Sequence, residues 1–85
     1  MRYRVTVTNT AARERKRLDP QVRNRIDAAL LALQKEPRPS GVRKLSGSQS
    51  DWRIRVGDYR ILYEVDDDQL LVTVWRIAHR REAYR

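Results

Sequence analysis

The sequence predicts an α+β fold: a single small domain in which an antiparallel sheet of about four strands packs against an N-terminal α-helical hairpin, in the order β-α-α-β-β-β. Two observations carry this. From Trp52 to Val65, two alternating apolar segments flank Gly57-Asp58, a pair suited to a two-residue hairpin turn. From Thr10 a run of good helix formers leads to an Asp19-Pro20 start signal, after which apolar residues recur at helical spacing from Val22 to Leu33.

The elements follow in chain order. Tyr3, Val5 and Val7 alternate with polar residues, which predicts a first strand over Arg2 to Thr8. A short helix is expected from Thr10 to Leu18, because Ala11, Ala12, Glu14, Arg15 and Lys16 favour helix and Thr10 can cap it. Asp19 as N-cap and Pro20 at the first helical position start a second helix. Its buried stripe is Val22, Ile26, Ala29, Leu30 and Leu33, and it ends before Pro37. Residues 36 to 51 shift to Pro, Ser and Gly and read as a long connector, anchored by Val42 and Leu45.

The Gly57-Asp58 turn fixes the pairing of the hairpin. It sets Arg55 against Arg60, Ile54 against Ile61 and Trp52 against Tyr63. Trp52, Ile54, Val56, Tyr59, Ile61, Tyr63 and Val65 then share one face, and Arg53, Arg55 and Arg60 share the other. Like charges directly across a ladder destabilise it by up to roughly 1 kcal/mol. A bound polyanion would account for the pairing, although an ordinary solvated face also carries arginine.

Asp66-Asp67-Asp68 reads as a turn, since it lacks the spaced ligands and fixed glycine of a calcium loop. Leu70 to Ile77 forms the last strand, with its register open by one residue. A two- or four-residue loop puts Leu70, Val72 and Val74 on the apolar face and Leu71, Thr73, Trp75 and Ile77 on the arginine side.

Composition bounds the function. The chain has 85 residues, enough for one small core, so one domain over residues 1–85 is expected. A net charge of +8 favours anionic partners, nucleic acid first. With no cysteine and one histidine, disulfides and Cys/His zinc sites are excluded, and no cofactor or metal site is expected. No stretch is long enough for a membrane span and the N-terminus lacks a signal-peptide core, so a cytoplasmic protein is expected.

The chemistry therefore rests on arginine, tyrosine and histidine. Arginine stays protonated and forks onto phosphate oxygens. It suits the charge growing on a pentavalent phosphorane. Tyr84 can hydrogen-bond or stack on a base, and His79 is the one histidine, the side-chain type best able to give and take a proton in general acid–base catalysis. Such a set fits metal-free RNA cleavage by the substrate's own 2′-hydroxyl, which DNA lacks. Arg13, Arg15, Lys16, Arg17, Arg23 and Arg25 either touch RNA or solvate a helix face.

Several blocks together resemble one family: Lys44-Leu45-Ser46-Gly47, Trp52-Arg53-Ile54-Arg55, Gly57-Asp58-Tyr59-Arg60-Ile61-Leu62-Tyr63 and His79-Arg80-Arg81-Glu82-Ala83-Tyr84. Over nearly the whole chain the sequence is similar to RelE toxins of the RelE/ParE toxin–antitoxin superfamily. The resemblance implies a RelE-like fold and a ribosome-dependent endoribonuclease that cuts mRNA in the A site. It further implies silencing by a RelB-like antitoxin, a toxin monomeric when free and a hetero-oligomeric complex; the +8 charge adds the expectation that the antitoxin carries an acidic segment. Catalytic positions would fall on Arg53, Arg55, Arg60, Arg80 and Tyr84, with His79 as a further candidate; Arg53, Arg55, Lys44 and Arg81 would hold RNA. Well-studied RelE members carry lysines where Arg53 and Arg55 stand, and some relatives pair a carboxylate base with a histidine acid, which leaves the general base here unassigned. Two other functions stay open: a ParE-like toxin that inhibits DNA gyrase without nuclease activity, and a basic RNA-binding module that does not cut.

Overall fold

The structure is a computed structural model that describes residues 2–45, 47 and 51–81. Its elements are β1 (Arg4–Val7), α1 (Asn9–Lys16), α2 (Pro20–Lys35), β2 (Arg43–Lys44), β3 (Asp51–Val56), β4 (Tyr59–Asp66) and β5 (Leu71–His79). The five strands form one sheet in the order β1-β5-β4-β3-β2. Two features depart from the expected four-stranded antiparallel sheet. β1 runs parallel to β5, and Arg43–Lys44, expected within the connector, adds a fifth strand against β3. The sheet is mixed because the two helices carry the chain from one edge strand, β1, to the other, β2, while β2 to β5 run as an antiparallel meander.

Helix α1 starts earlier than Thr10. Thr8 leaves β1 in an extended conformation, and its Oγ1 accepts the Ala11 N–H at 3.2 Å, so Thr8 is the cap. In α2, Pro20 holds the first helical position as expected, but the Asp19 side chain makes no capping hydrogen bond. The preset φ of Pro20 therefore contributes more to this start than a side-chain cap. Ile26 and Leu33 of α2 are fully buried against Ile61, Tyr63, Val72, Val74 and Ile77 of the sheet, with Ala11 of α1 in the same cluster.

The β3–β4 hairpin has the register set by its turn, from Val56 opposite Tyr59 to Trp52 opposite Tyr63. Gly57 adopts φ +60° and Asp58 keeps φ negative, as in a type II′ turn, where only the first central residue needs glycine's freedom.

The last strand corrects the parity expected for Ile77. Tyr63 pairs with Val74 but Leu62 pairs with Arg76, so Trp75 is the extra residue of a β-bulge. Beyond it every side chain changes face: Ile77 pairs with Ile61 and is 2% exposed in the core, not on the arginine side. At this level β1 has ended opposite Val74, which leaves the edge of β5 bare. Glu14 of α1 covers it. Its Oε1 accepts the Ile77 N–H at 2.8 Å and its Oε2 accepts Arg76 Nε at 2.9 Å.

The three aspartates serve the turn and the connector. Asp66 Oδ1 accepts the N–H groups of Asp68 and Gln69 at 3.1 and 3.2 Å. Asp67 pairs with Arg38 at 2.7 Å and accepts the Tyr3 hydroxyl at 2.6 Å, and these two donors hold its carboxyl below the usual range. Leu70 closes the turn at φ +51°, an unusual conformation for a residue with a Cβ.

Tyr63 ties the connector down from inside the core. It is fully buried and donates to the Pro37 carbonyl at 2.7 Å. Burial raises its pKa, because the phenolate would be desolvated. The folded state therefore keeps this proton more tightly than the unfolded chain. The associated stability is full below the unfolded value near 10 and is lost as pH rises above it. Tyr63→Phe should cost about 1–3 kcal/mol at pH 8, because a buried carbonyl loses its donor. The gap between wild type and variant should narrow at pH 10.5 in urea melts; a gap independent of pH would rule out this titration.

Candidate functional site

The face of the sheet away from the helices carries the arginines. Alternation along β3 puts Arg53 and Arg55 there, and the hairpin register sets Arg60 of β4 directly across from Arg55. One rung further along, Arg43 of β2 stands across from Arg53. Gly41, Arg43, Arg53, Arg55 and Arg60 line a concavity of about 240 Å³, so every charged side chain lining it is a cation. Beneath it the face is apolar: Leu62, opposite Arg53, and Ala78, opposite Arg60, are 3% and 4% exposed.

Arg60 is the most constrained of the group. Its Nη1 is sealed from solvent without a hydrogen-bond partner, although the residue as a whole is only half-buried. Burial lowers its pKa, and Arg55, Arg53 and Arg80 lower it further, against a small opposing effect of Asp58. An unpaired guanidinium N–H among like charges is costly in the free protein and becomes an asset when an anion arrives. Arg55 is steered by its Nε, which donates to the Gly57 carbonyl at 3.1 Å. Arg80 follows the end of β5, and its backbone N–H donates to the Asp58 carbonyl at 2.8 Å, which holds the departing chain beside the hairpin turn and its charge within reach of Arg60.

Not every residue expected at the site lies there. The bulge places His79 opposite Tyr59, on the helix-facing side, and the two rings meet edge to face at 5.4 Å between centroids. The structure thus does not bring His79 to the arginines. Arg81 is exposed and its N–H donates to His79 Nδ1 at 3.3 Å. Lys44 pairs with Trp52 and so shares the face opposite the arginines. Tyr84 lies outside the described residues.

Arg43, its neighbour, takes the place expected of Lys44. A signal for this existed in the sequence: Val42 anchors the connector to the core, and on a strand the residue after an inward-facing one points outward. Reading residues 36–51 as a loop concealed it.

A small mixed sheet with a helical hairpin on one face and a cluster of arginines on the other defines a domain whose open face concentrates positive charge. Comparison with known proteins places it among toxins. Residues 5–84 match the family model described as the ParE toxin of the type II toxin–antitoxin system parDE. The chain is 36% identical to the toxin RelG of Mycobacterium tuberculosis over 89 aligned residues, which cover 100% of this chain and 99% of that one. Its fold matches that of a chain in the archaeal RelE–RelB complex from Pyrococcus horikoshii, with TM-score 0.85, 27% identity and coverage of 98% and 100%. It also matches a chain of the RelBE2 toxin–antitoxin complex of M. tuberculosis, with TM-score 0.83, 29% identity and coverage of 94% and 100%. The chain belongs to the RelE/ParE superfamily and is a toxin of the type II toxin–antitoxin class. Among the described residues, no helix is long and apolar enough to cross a membrane.

Proposed function

We propose that this toxin is a metal-independent endoribonuclease that cuts mRNA in the ribosomal A site and so inhibits translation. The observation that carries the reading is the arginine-lined concavity with Arg60 Nη1 unsatisfied inside it. The 2′-oxygen of the substrate attacks the adjacent phosphorus and the bond from phosphorus to the 5′-oxygen breaks. This leaves a 2′,3′-cyclic phosphate and a 5′-hydroxyl. One proton leaves the 2′-hydroxyl and one reaches the departing oxygen. Arg60, with Arg55 and Arg80, stabilises the charge that grows on the phosphorane oxygens, and Arg53 holds the backbone. Tyr84 contributes a hydrogen bond or a stacking surface. A guanidinium is a poor proton acceptor, so the base comes from outside the four arginines that line the concavity. His79, packed on Tyr59, stands apart from this chemistry.

The chain is small and its concavity is an arginine-lined recess, not a base-reading groove, so the ribosome positions the message. Attraction to RNA is mainly electrostatic and falls steeply with salt. A RelB-like antitoxin with an acidic segment neutralises the +8 surface, since opposite charge raises association rate and specificity. The toxin is monomeric when free and hetero-oligomeric when neutralised.

The match to the ParE model favours one competing reading, a gyrase inhibitor that does not cut RNA. Primer extension on translating ribosomes and a gyrase supercoiling assay, run on the same preparation, separate the two. Codon-phased cuts that need ribosomes are expected, with supercoiling unaffected. Inhibition of supercoiling without cuts would replace this reading, and efficient codon-phased cutting of naked mRNA would remove the ribosome from it.

A further inference from the structure

The arginines form two rungs across the sheet, not one patch. Arg55 and Arg60 make the first, beside Arg80, and Arg43 and Arg53 make the second. Arg53 and Arg55 lie two residues apart on one face of β3, a step of about 6.5 Å. That step is comparable to the separation of successive phosphates along an extended single strand. We propose that the concavity holds two consecutive phosphates of a single-stranded RNA: the scissile one on the Arg55–Arg60 rung, and its neighbour on the Arg43–Arg53 rung, with Arg43 a phosphate-binding residue. The assignment of the scissile position rests on the endoribonuclease reading; the two-phosphate clamp does not.

Three observations support it. The Arg55–Arg60 rung opposes two cations directly, with Arg60 Nη1 lacking an acceptor, which costs stability unless an anion sits between them. The second rung exists because β2 is a strand, and its only other residue, Lys44, faces the opposite side with Trp52. Gly41, two residues before Arg43, lines the same concavity as Arg55 and Arg60. There φ is +89° and no atom lies within 4 Å of where a Cβ would stand, so the backbone leaves the space beside that rung open.

The adjacent residues Arg43 and Lys44 provide a matched test. Each loses one charge on mutation to alanine, at neighbouring positions of the same exposed strand, yet only one faces the concavity. Binding of a 2′-O-methyl RNA oligonucleotide, which cannot be cut, is measured by fluorescence anisotropy between 50 and 200 mM salt. Each phosphate contact contributes about 0.7 to the slope of log affinity against log salt for single strands. Arg43→Ala should lower the slope by about that amount and weaken binding several-fold; Lys44→Ala should change the slope by less than half as much. Arg43→Lys should restore the slope, and Arg43→Gln should reproduce the alanine result with the side-chain bulk retained. On programmed ribosomes, Arg43→Ala should raise the half-saturating toxin concentration with little change in the saturated cleavage rate. Equal effects of Arg43→Ala and Lys44→Ala, or an unchanged slope in Arg43→Ala, would overturn the clamp. If the slopes separate as expected but no variant, wild type included, cuts RNA, the clamp stands and the nuclease reading fails.

Discussion

Arg60→Ala is expected to reduce cleavage by about a hundredfold or more, the usual consequence of losing a charge-stabilising donor in phosphoryl or acyl transfer. Thermal stability should hold, or rise by up to roughly 1 kcal/mol, because the substitution removes a repulsion across the β3–β4 ladder. Arg60 faces Arg55, feels Arg53 and Arg80, and has an Nη1 with no acceptor. Its lowered pKa has the same meaning: folding disfavours the guanidinium cation, so deleting it relieves a strain present at every working pH. The aliphatic stem covers some apolar surface, and its loss offsets part of the gain. Single-turnover cleavage on programmed ribosomes and thermal melts of the same sample give the two quantities. A variant that melts far below wild type would make Arg60 a structural residue, and one that cuts normally would take it out of the site.

Ile77→Ala should behave in the opposite way, losing about 2–5 kcal/mol of stability, with activity lost only through unfolding. Ile77 is 2% exposed and packs in the cluster that contains Ile26, Ile61 and Leu33. A small domain holds roughly 5–15 kcal/mol in all, so this one cavity removes a large share of it. Ile61→Ala, its partner across β4 and β5, should cost a similar amount. Simple alternation from Val72 would instead put Ile77 on the arginine face, outside the helix-packed cluster, where truncation at a solvated position costs within about 0.5 kcal/mol. Urea denaturation of Ile77→Ala therefore tests the bulge itself: a near-neutral variant would mean that Trp75 is not the extra residue.

What was legible in the sequence was local. The Gly57-Asp58 turn sets the pairing of every residue between Trp52 and Tyr63, because a two-residue turn leaves one register, and with it the shared face of Arg53, Arg55 and Arg60. Pro20 and the spacing of Ile26 and Leu33 likewise determine α2 and its buried side, since propensity and period act within one segment. The family blocks were also readable, for the same reason. Tertiary structure decided the rest. β1 joins β5 in parallel only because the helical hairpin spans the sheet, a pairing across almost the whole chain that no local period encodes. The bulge at Trp75 arises where β5 outruns β1 and Glu14 of α1 takes the free Ile77 N–H, and it moves Ile77 into the core and His79 away from the arginines. Arg43 rather than Lys44 faces the concavity because two residues of edge strand are too short to show a period, so only their pairing with Arg53 and Trp52 selects the face.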